Sequence, residues 1–306
     1  MPAYLYGLLM LLSLIWGASF FFIKVGLESF GPIGVAFWRC LFGAVALAPI
    51  LIYQRKRLDW QNLPWGALVA VGLLNSAIPW MLLAYSETKL TSSFASVLNA
   101  STPIWTLIIG IVIFRLKSTL YQWLGILVGF IGIIVLMDID WSALYVQDSL
   151  AVGAMVLVTL FYGFSSQLSK RTLNEVSVYQ IACLTLVVGA LATGVMALAI
   201  ESNNWGNILK TDVIWNFIGL GSLGSGIAYI LFFKLVQKGS AELATMVTYL
   251  VPPFAILWGY FLLNEAITPS LLIGLLLILS GVYLSTRKKK NHKSHPQTMT
   301  EEQAQS

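Results

Sequence analysis

The chain is written in apolar blocks of about 20 residues, and block length constrains its fold more than any other feature. A helix rises ~1.5 Å per residue, so each block is long enough to cross the hydrocarbon of a bilayer. Such blocks fall near residues 4–27, 32–53, 64–86, 92–114, 119–137, 149–169, 177–200, 212–234, 241–263 and 268–286. Backbone polar groups in lipid must be satisfied within the segment, which predicts helices. Barrel strands would be about half as long and would alternate with polar residues. Only 10% of the 306 residues are charged, against about 25% in a soluble domain. The pattern predicts an all-α integral membrane fold of ten transmembrane helices, with connections too short for a soluble domain.

The formal charge of +5 does not point to nucleic acid, because the basic residues sit between blocks and in the tail. Alternate loops hold Arg55, Lys56, Arg57, Arg115, Lys117, Lys170, Arg171, Lys234, Lys238 and the tail from Arg287, while the others hold Lys89 and Lys210. By the positive-inside rule both termini are expected in the cytoplasm, which requires an even number of spans. The acidic loop residues Asp138, Asp140 and Asp148 then fall outside. The first block has no basic lead and no small-x-small cleavage site, so it reads as a retained span. Cys40 and Cys183 lie inside apolar blocks and read as small buried residues.

The chain also repeats itself. Gly7, Trp16-Gly17, Ser19, Lys24 and Gly43 recur as Gly153, Tyr162-Gly163, Ser165, Lys170 and Gly189, each 146 positions later. From the third block the offset is 149, pairing Gly72, Ser76, Pro103, Gly125 and Gly132 with Gly221, Ser225, Pro252, Gly274 and Gly281. One three-residue insertion accounts for both offsets. The reading is a first five-helix repeat over 1–141, a second over 147–286, and a disordered basic and polar cytoplasmic tail over 287–306 that lacks apolar residues to bury. Five spans per copy is odd, so the second copy is expected to enter the membrane upside down. Inverted repeats of this kind are a recurrent plan of secondary transporters.

These residues resemble the EamA-type drug/metabolite transporter family. The resemblance rests on Trp16-Gly17-Ala18-Ser19-Phe20 with Lys24, on Arg39, on Pro103 and Pro252, and on the glycines Gly125, Gly129, Gly132, Gly274 and Gly281. It extends nearly to Arg287. The family often closes the fourth span of each half with Gly-Glu-Arg; here Leu263-Asn264-Glu265-Ala266 keeps the acid, whereas Phe114-Arg115-Leu116-Lys117 puts Leu116 in its place. The resemblance implies export or exchange of small metabolites, commonly amino acids and related compounds.

Polar groups inside apolar blocks are costly and ask for a partner or an aqueous cavity. Arg39, about eight residues into the second block, reads either as a counter-charge for a substrate carboxylate or as an arginine snorkelling outward. Lys24 and Lys170 read either as span-end anchors or as gate residues pairing with acids such as Glu28 or Glu265. Pro103, Pro252 and Pro253 are expected to break their helices, freeing carbonyls at Asn99 and Thr248 beside side chains that could bind a solute; a locally stabilised kink is the plainer alternative. Trp16, Trp80, Tyr162, Tyr229 and Tyr249 stand deeper than interfacial belt aromatics and are candidates to line a solute path. Ser19, Ser166 and Gln167 add polar groups to the candidate binding set, and Asn75, Ser76, Ser222 and Ser225 lie in small-residue stretches that favour close helix packing.

Chemistry beyond transport finds little support. Both histidines, His292 and His295, are in the tail, there is no glycine-rich phosphate loop, and no Cys/His spacing suits zinc. No cofactor, metal, catalytic residue, nucleic acid or ATPase subunit is therefore expected. Proton coupling, if any, would fall to Glu265 or Glu87. The expectation is a multi-pass carrier of the bacterial inner (plasma) membrane, a monomer or homodimer, that exports or equilibrates small organic solutes by alternating access. A nucleotide-sugar or phosphorylated-sugar carrier is the rival within transport, though it would want more intramembrane cations than Arg39. A membrane enzyme or a scaffold is the rival from another class.

Overall fold

The computed structural model describes residues 3–54, 59–90, 92–136, 148–263 and 269–286. Among these residues every regular element is helical. Six helical stretches are long and apolar enough to cross a membrane: Ala3–Leu27, Pro32–Gln54, Trp65–Glu87, Ser149–Thr172, Val178–Ile200 and Thr211–Lys238. The first two are α1 and α2. The third comprises α3 (Trp65–Gly72), a π-helical segment Leu73–Ala77 and α4 (Ile78–Glu87). Then come α5 (Ser92–Asn99), α6 (Thr102–Val112), α7 (Leu120–Leu136), α8 (Ser149–Thr172) and α9 (Val178–Ile200). The last group is α10 (Thr211–Phe217), a second π-helical segment Ile218–Ile227, α11 (Ala228–Lys238), α12 (Ala241–Thr245), α13 (Val247–Leu263) and α14 (Pro269–Thr286). Glu265, Asp138, Asp140 and the tail lie outside the described residues.

Where these helices break follows from missing donors. Proline supplies no N–H and disturbs the turn before it. Pro103 sits in the first turn of α6, the chain turns at Ala100 and Ser101, and the Thr102 hydroxyl donates to the released Asn99 carbonyl at 2.6 Å. Pro252 and Pro253 behave differently from the sequence expectation, because both lie inside α13. The discontinuity falls earlier, at Met246, whose carbonyl accepts from the Tyr249 N–H at 3.1 Å in a tightened i, i+3 turn. Pro79 acts where the sequence drew no attention: it leaves the Asn75 carbonyl free, and the chain passes through the π-helical turn Leu73–Ala77 at that point.

The halves of the chain interleave rather than sit side by side. Helix α2 packs along α9 and the second π segment, α1 packs on α13, α4 and α6 pack on α8, and α7 pairs with α14. The α7–α14 seam is a backbone contact. A Cβ at Gly125 would meet the Gly281 carbonyl at 2.6 Å, and one at Gly132 would meet the Ile278 nitrogen at 2.7 Å, so only glycine lets these backbones approach. Large aliphatic side chains on the outer faces stay exposed, Leu191, Leu198, Leu276 and Leu150 among them. A chain of this hydropathy that shows its apolar residues outward is built for lipid on all sides.

Candidate functional site

Between the two interleaved halves lies a cavity, and its lining is drawn from both. Helix α1 supplies Trp16, Ser19, Phe20 and Ile23, which recur every three or four residues and so share one helical face. Trp80 and Leu83 come from α4 and Tyr229 and Phe232 from α11, each pair again three residues apart. Helix α8 contributes Tyr162 and Ser166. The interrupted helices bring Asn99 and Thr102 from one half and Thr245, Thr248 and Val251 from the other.

Arg39 enters this space from α2 and is only 4% exposed. Its Nε donates to the Ser225 hydroxyl at 2.9 Å, and its guanidinium carbon lies 3.9 Å from the centre of the Trp80 ring. The flat cation is thus held by a neutral hydroxyl and an aromatic face, the latter worth about 2 kcal/mol when desolvated. Among the described residues no carboxylate forms an ion pair with it. A buried charge without a counter-ion is expensive, and a solute anion would complete it. The reading of Arg39 as an outward-snorkelling side chain does not describe this geometry.

The π-helical segments shape the rest. Tyr229 donates its hydroxyl to the carbonyl that Pro79 releases, Asn75 O, at 2.6 Å, and accepts from Asn75 Nδ2 at 3.0 Å; the Ser76 hydroxyl lies 3.1 Å away. On the other half, the Trp16 indole donates to Gly224 O at 3.0 Å, and the Ser225 hydroxyl donates to Leu220 O, five residues back, at 3.1 Å. Insertions of this type are frequent at functional sites. Two cavity-lining polar atoms, Ser19 Oγ and Asn99 Oδ1, are buried with no partner. They are acceptors placed on the same space as the arginine.

The sequence profile of the EamA-like transporter family matches residues 3–138 and, a second time, residues 149–287. The chain belongs to the EamA-like transporter family. With its outward apolar helices, this makes it a multi-pass integral membrane protein of a transporter family. It is 27% identical over 282 residues to the "Uncharacterized transporter YoaV" of Bacillus subtilis, covering 90% of this chain and 94% of that protein. It is 26% identical over 295 residues to the "Probable terminal-alkyne amino-acid exporter" of Streptantibioticus cattleyicolor, covering 95% and 96%. A solved crystal structure shares the fold with a TM-score of 0.74 and 15% identity, over 94% of this chain and 98% of that one.

In this EamA-like chain the cavity gathers Trp16, Ser19, Arg39, Trp80, Asn99, Tyr162, Tyr229 and Thr248 from the candidate set. Two candidates lie elsewhere. Gln167 is occupied by Thr106 O at 3.0 Å and the Glu242 carboxylate at 2.7 Å. Tyr249, one residue and hence about 100° round the helix from Thr248, turns to α7 and donates to Ile126 O at 2.9 Å. Among the described residues the lysines, suggested as gate residues, hydrogen-bond to backbone carbonyls. Lys24 donates to the carbonyls of Glu87 at 2.6 Å and Leu90 at 3.3 Å, and Lys170 donates to Gln237 O at 2.7 Å. Each therefore sits on the C-terminal end of a helix, α4 or α11, where the dipole favours a cation. Glu28 is exposed, and Glu265 is outside the described residues. Phe20 was visible only as part of the Trp16–Phe20 motif, and Ile23, Leu83, Phe232 and Val251 went unremarked in the sequence, although each stands three, four or seven residues from a named candidate.

Proposed function

We propose that this transporter is a secondary carrier that exports small organic metabolites, amino acids foremost, by alternating access between two inverted five-helix repeats. The observation that carries the reading is Arg39: a buried guanidinium without an ion-pair partner among the described residues, facing an aromatic-lined cavity between the halves. A carboxylate placed on it would receive charge-assisted hydrogen bonds, the strong kind. An ammonium would find acceptors at Asn99 Oδ1 and Ser19 Oγ, and aromatic and aliphatic walls remain for a side chain. A relative's name as an amino-acid exporter points the same way.

The ten-span arrangement is supported by helices in each of the ten apolar intervals and by two separate matches to one family profile. The crowding of Lys and Arg into alternate loops supports cytoplasmic termini in a bacterial inner membrane. Alternating access needs inward- and outward-facing states of nearly equal free energy, each presenting the same cavity. Duplicated halves give that balance a structural origin, since each state uses in one half the packing that the other state uses in its counterpart. A nucleotide-sugar or phosphorylated-sugar carrier would need several cations for phosphate, and among the described lining residues Arg39 is the one cation.

The test is counterflow. The full chain is reconstituted in liposomes loaded with unlabelled amino acids, one at a time, and entry of the labelled compound is followed. At least one amino acid should exchange, and Arg39→Ala should abolish that exchange at low concentration. Exchange that ignores the substitution would remove the anion-binding role, and a panel without exchange would remove amino acids as the substrate class.

A further inference from the structure

Arg39 and Glu87 are the only buried Arg, Lys, Asp or Glu side chains among the described residues, and the cavity uses only the first. Glu87 ends α4 and is 0% exposed. Its Oε2 accepts from the Ser92 hydroxyl at 3.1 Å, and its Oε1 is buried with no partner. Lys24, the obvious counter-ion, is spent on the backbone: its Nζ lies on the Glu87 and Leu90 carbonyls. An ionised carboxylate here would have exchanged its water for one neutral hydrogen bond. A carboxyl group with its proton meets the same surroundings at much lower cost.

The charges around it are few. Lys24 from α1 and Arg39 from α2 act on it electrostatically. At the neighbouring end of α8 the charged group is Asp148, whose Oδ1 is committed to the Leu150 and Ala151 N–H groups. From α5 it meets neutral Ser92, and its own turn carries Lys89. The site is also mechanically tied to the cavity. Leu83, one turn back on α4, and Ile23, next to Lys24 on α1, both line it, and α5 runs from Ser92 to the lining residue Asn99.

We propose that Glu87 is the proton-binding site that couples this carrier to a proton gradient, one proton moving in for each solute moving out. This rests on the carrier reading above. The conformation described here holds the neutral carboxyl group. When its O–H bond breaks and the proton leaves to water, the carboxylate draws the Lys24 ammonium off the α4 carbonyls. That loosens the junction of α1, α4 and α5 at one mouth of the cavity. Reprotonation lets Lys24 return to the helix end and restores the junction described here.

The experiment uses the reconstituted full chain and the amino acid found to exchange. With an acidic lumen, wild-type vesicles should accumulate the solute up to about tenfold per pH unit, the limit for one proton per solute. Glu87→Gln, which copies the shape of the protonated acid, should still exchange but should not accumulate; Glu87→Asp, which keeps the titrating group, should recover part of the response. Accumulation by Glu87→Gln equal to wild type, or wild-type indifference to the gradient, would overturn the proposal. Should no solute exchange, the carrier reading has failed instead, and the proton site is read by infrared difference spectra between acidic and alkaline buffer. A buried carboxyl band present in wild type and absent in Glu87→Gln is the expected result; its absence from wild type sinks the assignment.

Discussion

The first half of the molecule and the second are built from the same parts, yet they carry different chemistry. Lys24 caps α4 and its counterpart Lys170 caps α11. Each half has a π-helical segment, with Ser76 in one matching Ser225 in the other. Arg39, however, stands where the second half has Thr185, whose hydroxyl is spent on Ile181 O and Ala182 O of its own helix. Glu87 stands where the second half has Val236, which is buried in the core. Asn75 stands where it has Gly224. Duplication preserves what positions backbones, namely caps, helix interruptions and glycine seams. Among the described residues, the two buried charged groups, Arg39 and Glu87, both belong to the first half.

The largest effect should come from splitting that asymmetry directly. Arg39→Ala should weaken solute binding by about 10- to 100-fold, since hydrogen bonds to a charged group contribute about 1.5–3 kcal/mol. Thr185→Ala, the same position in the other half, should leave binding unchanged because its hydroxyl serves only its helix. Binding isotherms on both variants decide the matter, and equal losses would mean that the halves share the site chemistry. Next comes the tyrosine that ties the two halves at the cavity. Tyr229→Phe strands the Asn75 carbonyl that Pro79 released and should cost about 1–3 kcal/mol of stability, measured by unfolding in detergent. No change would show that the interrupted turn satisfies itself.

The lysines test the part of the comparison that predicts equality. Lys24→Met and Lys170→Met each remove a cation from a helix C-terminus and should destabilise by a similar amount, about 0.3–1 kcal/mol. In vesicles the two should diverge. Only Lys24→Met should alter the response to a pH gradient, because only Lys24 lies beside a buried acid. Matching transport phenotypes would argue that both lysines are anchors and nothing more.

How far the sequence disclosed all this differs between scaffold and site. Block length and hydropathy located the helical intervals because lipid imposes a single answer on the backbone. The fixed offsets located the glycine seams because a Cβ there has nowhere to go. Within the site, Arg39, Trp16, Trp80 and Asn99 were visible as polar or large groups at odds with an apolar neighbourhood. Gln167 and Tyr249 looked the same in sequence but point to other helices, since a step of one residue turns a side chain by about 100°. The Pro252-Pro253 pair misled for a related reason: a proline marks a missing donor, not the place where a helix is interrupted, and the interruption here falls at Met246. Pro79 carried the more informative signal, because the carbonyl it frees meets a hydroxyl 154 residues away.

The end of α6 offers the smallest effect and the clearest local logic. Arg115 has φ 55°, the one non-glycine residue among those described with a positive φ. It is held there by a wide turn in which the Leu116 N–H reaches back to Gly110 O at 2.9 Å. In the motif that this stretch departs from, glycine takes the Arg115 position, and glycine adopts such a backbone without a Cβ penalty. Keeping an L-residue with a side chain there costs roughly 1–2 kcal/mol, partly offset by the greater flexibility that glycine has when unfolded. Arg115→Gly should therefore stabilise the protein by a net of about 1 kcal/mol or less, read as a higher unfolding midpoint in detergent, with solute exchange unaltered. A loss of stability would mean that the Arg115 side chain contributes more than its backbone costs, and that the first half has found its own substitute for the glycine.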